Sequence, residues 1–263
     1  MAGQKMKIAD LPNSPMYILC QWPRGLRILE AIPFRRGYSG ADLLCLCHWA
    51  GMSSPNKLRQ SGFAYASVVS LAEQAAQDRH SANYHHSGHV AHVVMAVGVL
   101  AAADNLSQAD TDMLIVAALV HDLDHQGLLR DRALYEAELR SANLAKSQLS
   151  KYHSDSRVVQ RLEDLILATS FSDDSIKDHI LATDRLAAYL VDADLFASTF
   201  YARHISLALT GHIKAEDRLK EDRQVLASGF ANNAQQRGFQ TAVATDLHAA
   251  LPDGYSVLSL RDF

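Results

Sequence analysis

The sequence predicts an all-α fold, a bundle of about seven helices between about residues 65 and 250, and three observations carry that reading. Proline comes first: all six prolines fall at positions 12, 15, 23, 33, 55 and 252, so none lies between 56 and 251. Proline is costly inside helices and in central strands alike, so its absence marks a regular region without choosing the type. Apolar spacing makes the choice. Val158, Leu162, Leu165, Ile166 and Ala168 recur at helical intervals, as do Leu186, Tyr189, Leu190 and Ala193. The third observation is that strand-like alternation is scarce over the same region.

Taken in order, residues 1–62 differ from the rest. They hold five of the six prolines together with Gly25, Gly37, Gly40 and Gly51, and their apolar pieces are short, as in Leu43–Cys47. Such a segment forms short helices and loops laid on the bundle, which occupies residues 63–263. The next element opens at Tyr84-His85-His86-Ser87-Gly88-His89 and runs through the apolar stretch Val90–Ala103 to Asp104. On that helix His85 and His89 stand four apart and His92 a further three, so all three share one face, because positions three and four apart are neighbours. Ser107-Gln108-Ala109-Asp110 then starts a helix in the manner of a capping box, followed by Leu114, Val116, Ala117, Ala118 and Val120 and ending at His121-Asp122. Asp192-Ala193-Asp194-Leu195 lies inside another apolar stretch.

Composition sets limits on function. Hydrophobic residues make up 48% and charged residues 21%, which suits a globular protein. A formal net charge of -4 argues against a partner bound through nucleic-acid phosphates, which demands a basic face. Cys20, Cys45 and Cys47 imply no disulfide framework. Lys5 and Lys7 are not followed by a signal-type apolar run, and Val90–Ala103 is too short to span a bilayer. The expectation is a soluble cytoplasmic protein with neither a membrane nor a nucleic acid as partner.

The chemistry concentrates at His85 and His89, at His121-Asp122-Leu123-Asp124-His125, and at Asp194. One histidine on an apolar face is more often a packed core residue than a ligand. Two adjacent ionisable groups at the end of an apolar helix are harder to dismiss, since burying them is costly unless they are paired or bound to metal. Imidazole and carboxylate together suit zinc, iron or manganese, and magnesium where carboxylates and waters dominate.

His89, His121-Asp122 and Asp194 resemble the four-ligand signature of the HD-domain superfamily of metal-dependent phosphohydrolases. Tyr84-His85-x-x-x-His89 and His121-Asp122-x-Asp124-His125-x-Gly127 go further and resemble the paired motifs of the class I 3′,5′-cyclic nucleotide phosphodiesterases. Ala193-Asp194-Leu195 is similar to that family's third metal motif, and Leu167-Ala168-Thr169 to the segment before it. The likeness covers about residues 66–250 and is dense around 84–127 and 167–195. His86 stands where the family usually has asparagine, and the stretch between Gly127 and Asp194 is shorter. No glutamate matches the family's residue near the second metal; Glu136 and Glu138 are the candidates.

The resemblance implies an HD-type helical bundle with its metal site in the core, binding two divalent ions. His89, His121, Asp122 and Asp194 would hold a zinc, manganese or iron ion. Asp122 would bridge to a magnesium or manganese ion that is otherwise bound mostly by water. Two such ions about 3.5–4 Å apart acidify a bridging water and clamp phosphoryl oxygens. His85 would be the general acid for the departing 3′ oxygen, His125 would orient water or phosphate, and Asp124 or Glu138 would support the ligands. Gln236-Arg237-Gly238-Phe239 resembles the purine-holding segment, which makes Gln236 and Phe239 candidate substrate contacts. The expected partner is a small phosphoester or nucleotide. Other readings stay open: a different HD hydrolase, an HD-type di-iron oxygenase, or a regulatory domain without turnover. Residues 1–62 would cover the bundle, form a homodimer interface or help close the site.

Weaker patterns have simpler explanations. Cys45-Leu46-Cys47-His48 lacks partner cysteines and suits apolar packing, and Phe200 and Tyr201 suit the core. Lys214–Arg223 reads as a solvated helix face.

Overall fold

Ser14-Pro15 and Ser54-Pro55 start helices in the way such pairs favour, with the serine just outside and proline in the first turn, where its missing N–H is no loss. They open α1 (Pro15–Cys20) and α4 (Pro55–Gln60) of a computed structural model that describes residues 6–77, 84–125, 135–152, 154–170, 175–216 and 238–255. Between and after them come α2 (Leu26–Glu30), α3 (Gly40–Trp49) and α5 (Tyr65–Ala75). Next are α6 (Ser87–Ala103), α7 (Gln108–Val120), α8 (Glu136–Lys151) and α9 (Ser156–Ala168). The chain continues through α10 (Ser175–Thr183), α11 (Arg185–Asp194), α12 (Phe196–Phe200), α13 (Arg203–Glu216) and α14 (Ala242–Ala249). No strand occurs among the described residues; one isolated bridge joins Ala202 and Tyr255. The fold is all-α.

Helices α6 and α7 form the centre. Every residue from Ser87 to Ala101 is buried, and so is every residue from Thr111 to Val120. A helix that is apolar on all sides must be enclosed on all sides. Accordingly α6 packs on α7, with α11 against both; α1 and α3 cover another flank of α6, while α5 and α9 flank α7. The contact with α3 is close enough to require Gly98, where a Cβ would lie 2.7 Å from the Ala50 Cα.

One hydrophobic core runs from Ile18 through Phe63 to Ala244, so it passes through the position where the proline-rich segment gives way to the bundle. A buried carboxylate reinforces the join. Asp112, on α7, accepts from Ser53 N–H (2.8 Å), Ser53 Oγ (2.7 Å) and Ser61 Oγ (2.7 Å), with Gln108 Nε2 at 3.2 Å. Burying a carboxylate is costly, and this set of donors is what offsets it.

Two expectations are corrected here. Between 65 and 250 the described residues form ten helices (α5 to α14) rather than about seven. The extra breaks fall inside apolar stretches: Asp184 caps α11 by accepting from Leu186 N–H, and the chain turns again at Leu195. Second, α6 begins at Ser87, after His85. His86 is its N-cap, extended at φ -143° and ψ 176°, with Nδ1 accepting from Gly88 N–H at 3.0 Å. His85 therefore sits in the preceding turn and does not share a helix face with His89. No described helix is long and apolar enough to cross a membrane.

Candidate metal centre

Three helix ends converge on one point. His89 comes from the first turn of α6, His121 is the residue that caps the C-terminus of α7, Asp122 follows it, and Asp194 is the last residue of α11. The Asp122–His125 turn is tight. Asp124 takes φ +62°, a left-handed conformation that aspartate tolerates better than most residues, and the His125 N–H donates to the Asp122 carbonyl at 3.1 Å.

The ligand atoms are close. His89 Nε2 lies 3.2 Å from His121 Nε2, 3.1 Å from Asp122 Oδ2 and 3.0 Å from Asp194 Oδ1. His121 Nε2 lies 3.1 Å from Asp122 Oδ2 and 3.5 Å from Asp194 Oδ1. A cation about 2.0–2.2 Å from each donor sets neighbouring donors about 3.3–3.6 Å apart in a tetrahedron and about 2.8–3.1 Å apart at adjacent octahedral positions. The five separations fall within these spans or between them. His121 Nδ1 sits 2.9 Å from the Ala118 carbonyl, so it carries the proton and leaves the Nε2 lone pair facing the centre. His89 Nδ1 is buried with no hydrogen-bond partner among the described residues, where the other imidazole has the Ala118 carbonyl.

Charge favours the same occupant. Two neutral imidazoles and two carboxylates sum to -2, the complement of a divalent cation. Without one, protons take its place: burial opposes charge on His89 and His121, yet Asp122 and Asp194 outweigh it and hold both imidazoles above their ordinary range. Burial likewise opposes the two carboxylates, and the imidazoles overcome it, holding Asp122 and Asp194 below theirs. The residues present therefore fit a divalent ion.

Asp122 also belongs to a second group able to hold a metal ion, with His85 and His125, whose ligand atoms all lie within 4.8 Å of one another. The His85 and His125 rings lie against each other, tilted by 30°, at a centroid distance of 3.6 Å. Both line a pocket with Asp122 and Asp124.

The other sequence candidates divide. Asp124 lies on the pocket wall, 4.0 Å from Arg140 NH1, while Glu136 pairs with Arg140 at 3.0 Å. Neither Glu136 nor Glu138 belongs to a metal-capable group among the described residues. Phe239 packs against Phe200 and His248, at 5.2 Å and 5.0 Å between ring centroids. Gln236 lies outside the described residues, as do Gln126 and Gly127. His92 is buried beside the centre but turned to Tyr201, whose hydroxyl is 2.7 Å from Nδ1, and burial pushes its pKa down to about 3. Of the cysteine pair, Cys47 is buried and Cys45 exposed.

The sequence did not point to Phe34. Its ring lies 5.0 Å from His86, 6.3 Å from His89, 5.5 Å from His92 and 5.5 Å from Tyr84, between centroids. The loop carrying it passes so near α6 that a Cβ on Gly88 would stand 2.4 Å from the Arg35 carbonyl oxygen. Tyr38 N–H donates to Ser87 Oγ at 3.2 Å and fixes the far end of the loop. Nothing in apolar spacing announces these contacts. No family model matches the chain, and a search of curated proteins also finds no match.

Proposed function

We propose that this chain is a metal-dependent phosphohydrolase whose leading substrates are 3′,5′-cyclic nucleotides. The observation that carries this is the position of Asp122, whose carboxylate lies within 3.1 Å of the buried His89 and His121 and also groups with a histidine pair on an adjoining pocket. Cleaving a phosphoester needs charge neutralisation at phosphorus, a nucleophile, and a proton for the leaving oxygen, and these needs divide between the two groups.

His89, His121, Asp122 and Asp194 are the residues that would hold a divalent cation. When bound, such an ion supplies Lewis acidity toward a phosphoryl oxygen and lowers the pKa of water. The chain's own residues do the rest. The Ala118 carbonyl fixes the His121 tautomer and so aims its lone pair. His85, beside Asp122 but outside the four-donor cluster, gives its proton to the oxygen released as the phosphorus–oxygen bond breaks and water oxygen joins phosphorus. His125, packed against His85, limits where that imidazole can point.

The test is hydrolysis of cyclic AMP and cyclic GMP by metal-stripped protein resupplied with magnesium, manganese or zinc. The expected result is cation-dependent release of the 5′-monophosphate. Loss of about 10²–10⁴-fold in His85→Ala with the metal content intact is the signature of a proton donor. Absence of turnover with every cation overturns the cyclic nucleotide reading.

A second reading rests on the histidine content of the Asp122–His85–His125 group, because imidazole also suits redox-active iron. An HD-type di-iron oxygenase would purify with iron and consume dioxygen with its substrate, which the hydrolase would not.

A further inference from the structure

Helix α5 buries Ser67, Val68, Leu71 and Ala72, a stripe with the spacing of a core-facing helix. The next positions on that stripe, three and four beyond Leu71, are Gln74 and Ala75, and both are half-buried. An amide thus occupies a position where the pattern calls for an apolar side chain. The stripe reaches the pocket: Ala75 still packs against the core, and both Gln74 and Ala75 line the cavity that also exposes His85, Asp122, Asp124 and His125. The Gln74 carbonyl accepts from Gln77 N–H at 3.0 Å, a turn that brings Gln77 to the same wall.

We infer that Gln74 is a specificity-determining residue that recognises an uncharged, hydrogen-bonding portion of the substrate (the nucleoside) next to the reacting phosphoryl group. This rests on the phosphohydrolase reading for the identity of that group. The lining is largely polar and charged near His85, Asp122, Asp124 and His125, but it also sets the apolar side chains of Ala75, Val90 and Leu144 with the amide of Gln74, so that a polar group is placed beside apolar surface. An amide offers both a donor and an acceptor, which matches sugar hydroxyls or the edge of a base. The Gln74 side chain makes no hydrogen bond with the described residues, so its polar atoms are available to a ligand. Sites that hydrogen-bond a substrate group discriminate strongly against analogues lacking it, because the polar group is then left unpaired. A simple aryl phosphate fills the apolar wall and leaves the amide unpaired.

The experiment is calorimetric binding of adenosine 5′-monophosphate and of phenyl phosphate to the full chain loaded with manganese, comparing the natural protein with Gln74→Leu. The expected result is a fall of about tenfold in the preference for the nucleotide over phenyl phosphate, with the manganese content per chain unchanged. An unchanged preference, equal weakening of both ligands, or no nucleotide binding by the natural protein overturns the inference. Gln74→Met serves if the leucine variant folds poorly. Altered preference in a protein that turns over no phosphoester would sustain the role of Gln74 and refute the hydrolase.

Discussion

A bound cation stabilises the folded chain, and the size of the effect follows from linkage. The four donors come from α6, α7 and α11, elements that unfolding separates, so the ion binds the native state far more tightly than the unfolded one. A free concentration one hundred times Kd adds about 2.7 kcal/mol. For a chain of 263 residues each kcal/mol moves Tm by about 2–4 °C, giving about 5–11 °C. Protons held by His89 and His121 in the cation-free protein must leave as the ion enters, so binding is weaker at lower pH and releases protons into solution.

The assay is scanning calorimetry of metal-stripped protein with and without zinc, manganese or magnesium, repeated on Asp194→Asn. That substitution keeps the shape of the side chain while removing one charge and its anionic donor. The natural protein should gain the full shift with at least one of these cations and the variant little of it. Thirteen histidines give cations other places to bind, so the variant is the deciding arm. Equal shifts in the two proteins, or none in either, refute the assignment of the cluster.

Three further outcomes follow from buried polar groups. His92 has its pKa pushed down to about 3 by burial, so below pH 6.5 the unfolded chain takes a proton that the folded one refuses. Stability is then lost as pH falls from 6.5 toward 3, by about 1.4 kcal/mol per pH unit from this group, and His92→Gln should flatten the slope of urea-derived stability by that amount. An identical slope would mean that His92 is charged in the fold. Asp112→Ala leaves the Ser53 N–H, the Ser53 hydroxyl and the Ser61 hydroxyl unpaired, and should cost about 3–5 kcal/mol in urea unfolding; a loss under about 1 kcal/mol would show water replacing the carboxylate. Asp192 accepts from Gln240 N–H (2.9 Å), Thr241 N–H (2.9 Å) and Thr241 Oγ1 (2.7 Å), so Asp192→Ala should speed amide exchange over residues 240–249 more than elsewhere. Uniform acceleration would refute a local anchor.

What the sequence disclosed depended on how locally each feature is encoded. Helix α7 was legible from its start because Ser107 accepts from Asp110 N–H, a contact made within one turn. Helix α9 was legible from its amphipathic spacing. The central position of α6 and α7 was harder to infer, since a helix apolar on every side carries no directional signal. The break at Leu195 was invisible, with neither a capping side chain nor a glycine or proline to announce it. At the site, His121 and Asp122 stood out because two adjacent titratable groups at the end of an apolar helix are costly without a partner, whereas His89 and Asp194 were singled out by the motif resemblance. The residue types suggested ligands, while the convergence of three separate helix ends required the fold.

Prolines and glycines set residues 1–62 apart in the sequence, as short helices and loops laid on the bundle, and the packing of residues 6–62 brings part of that segment to the centre. Phe34 lies against His86, His89 and His92, and the backbone at Arg35 approaches Gly88 so closely that only glycine fits. A metal-binding imidazole needs a fixed orientation, which a hydrogen bond on its second nitrogen commonly supplies. His121 has that bond, to Ala118; among the described residues His89 has none. Ring packing substitutes for it: Tyr84, at 4.6 Å between centroids, and Phe34 confine the His89 imidazole. One of its ring neighbours therefore comes from the segment that composition sets apart, which is why the centre cannot be assigned to the bundle alone.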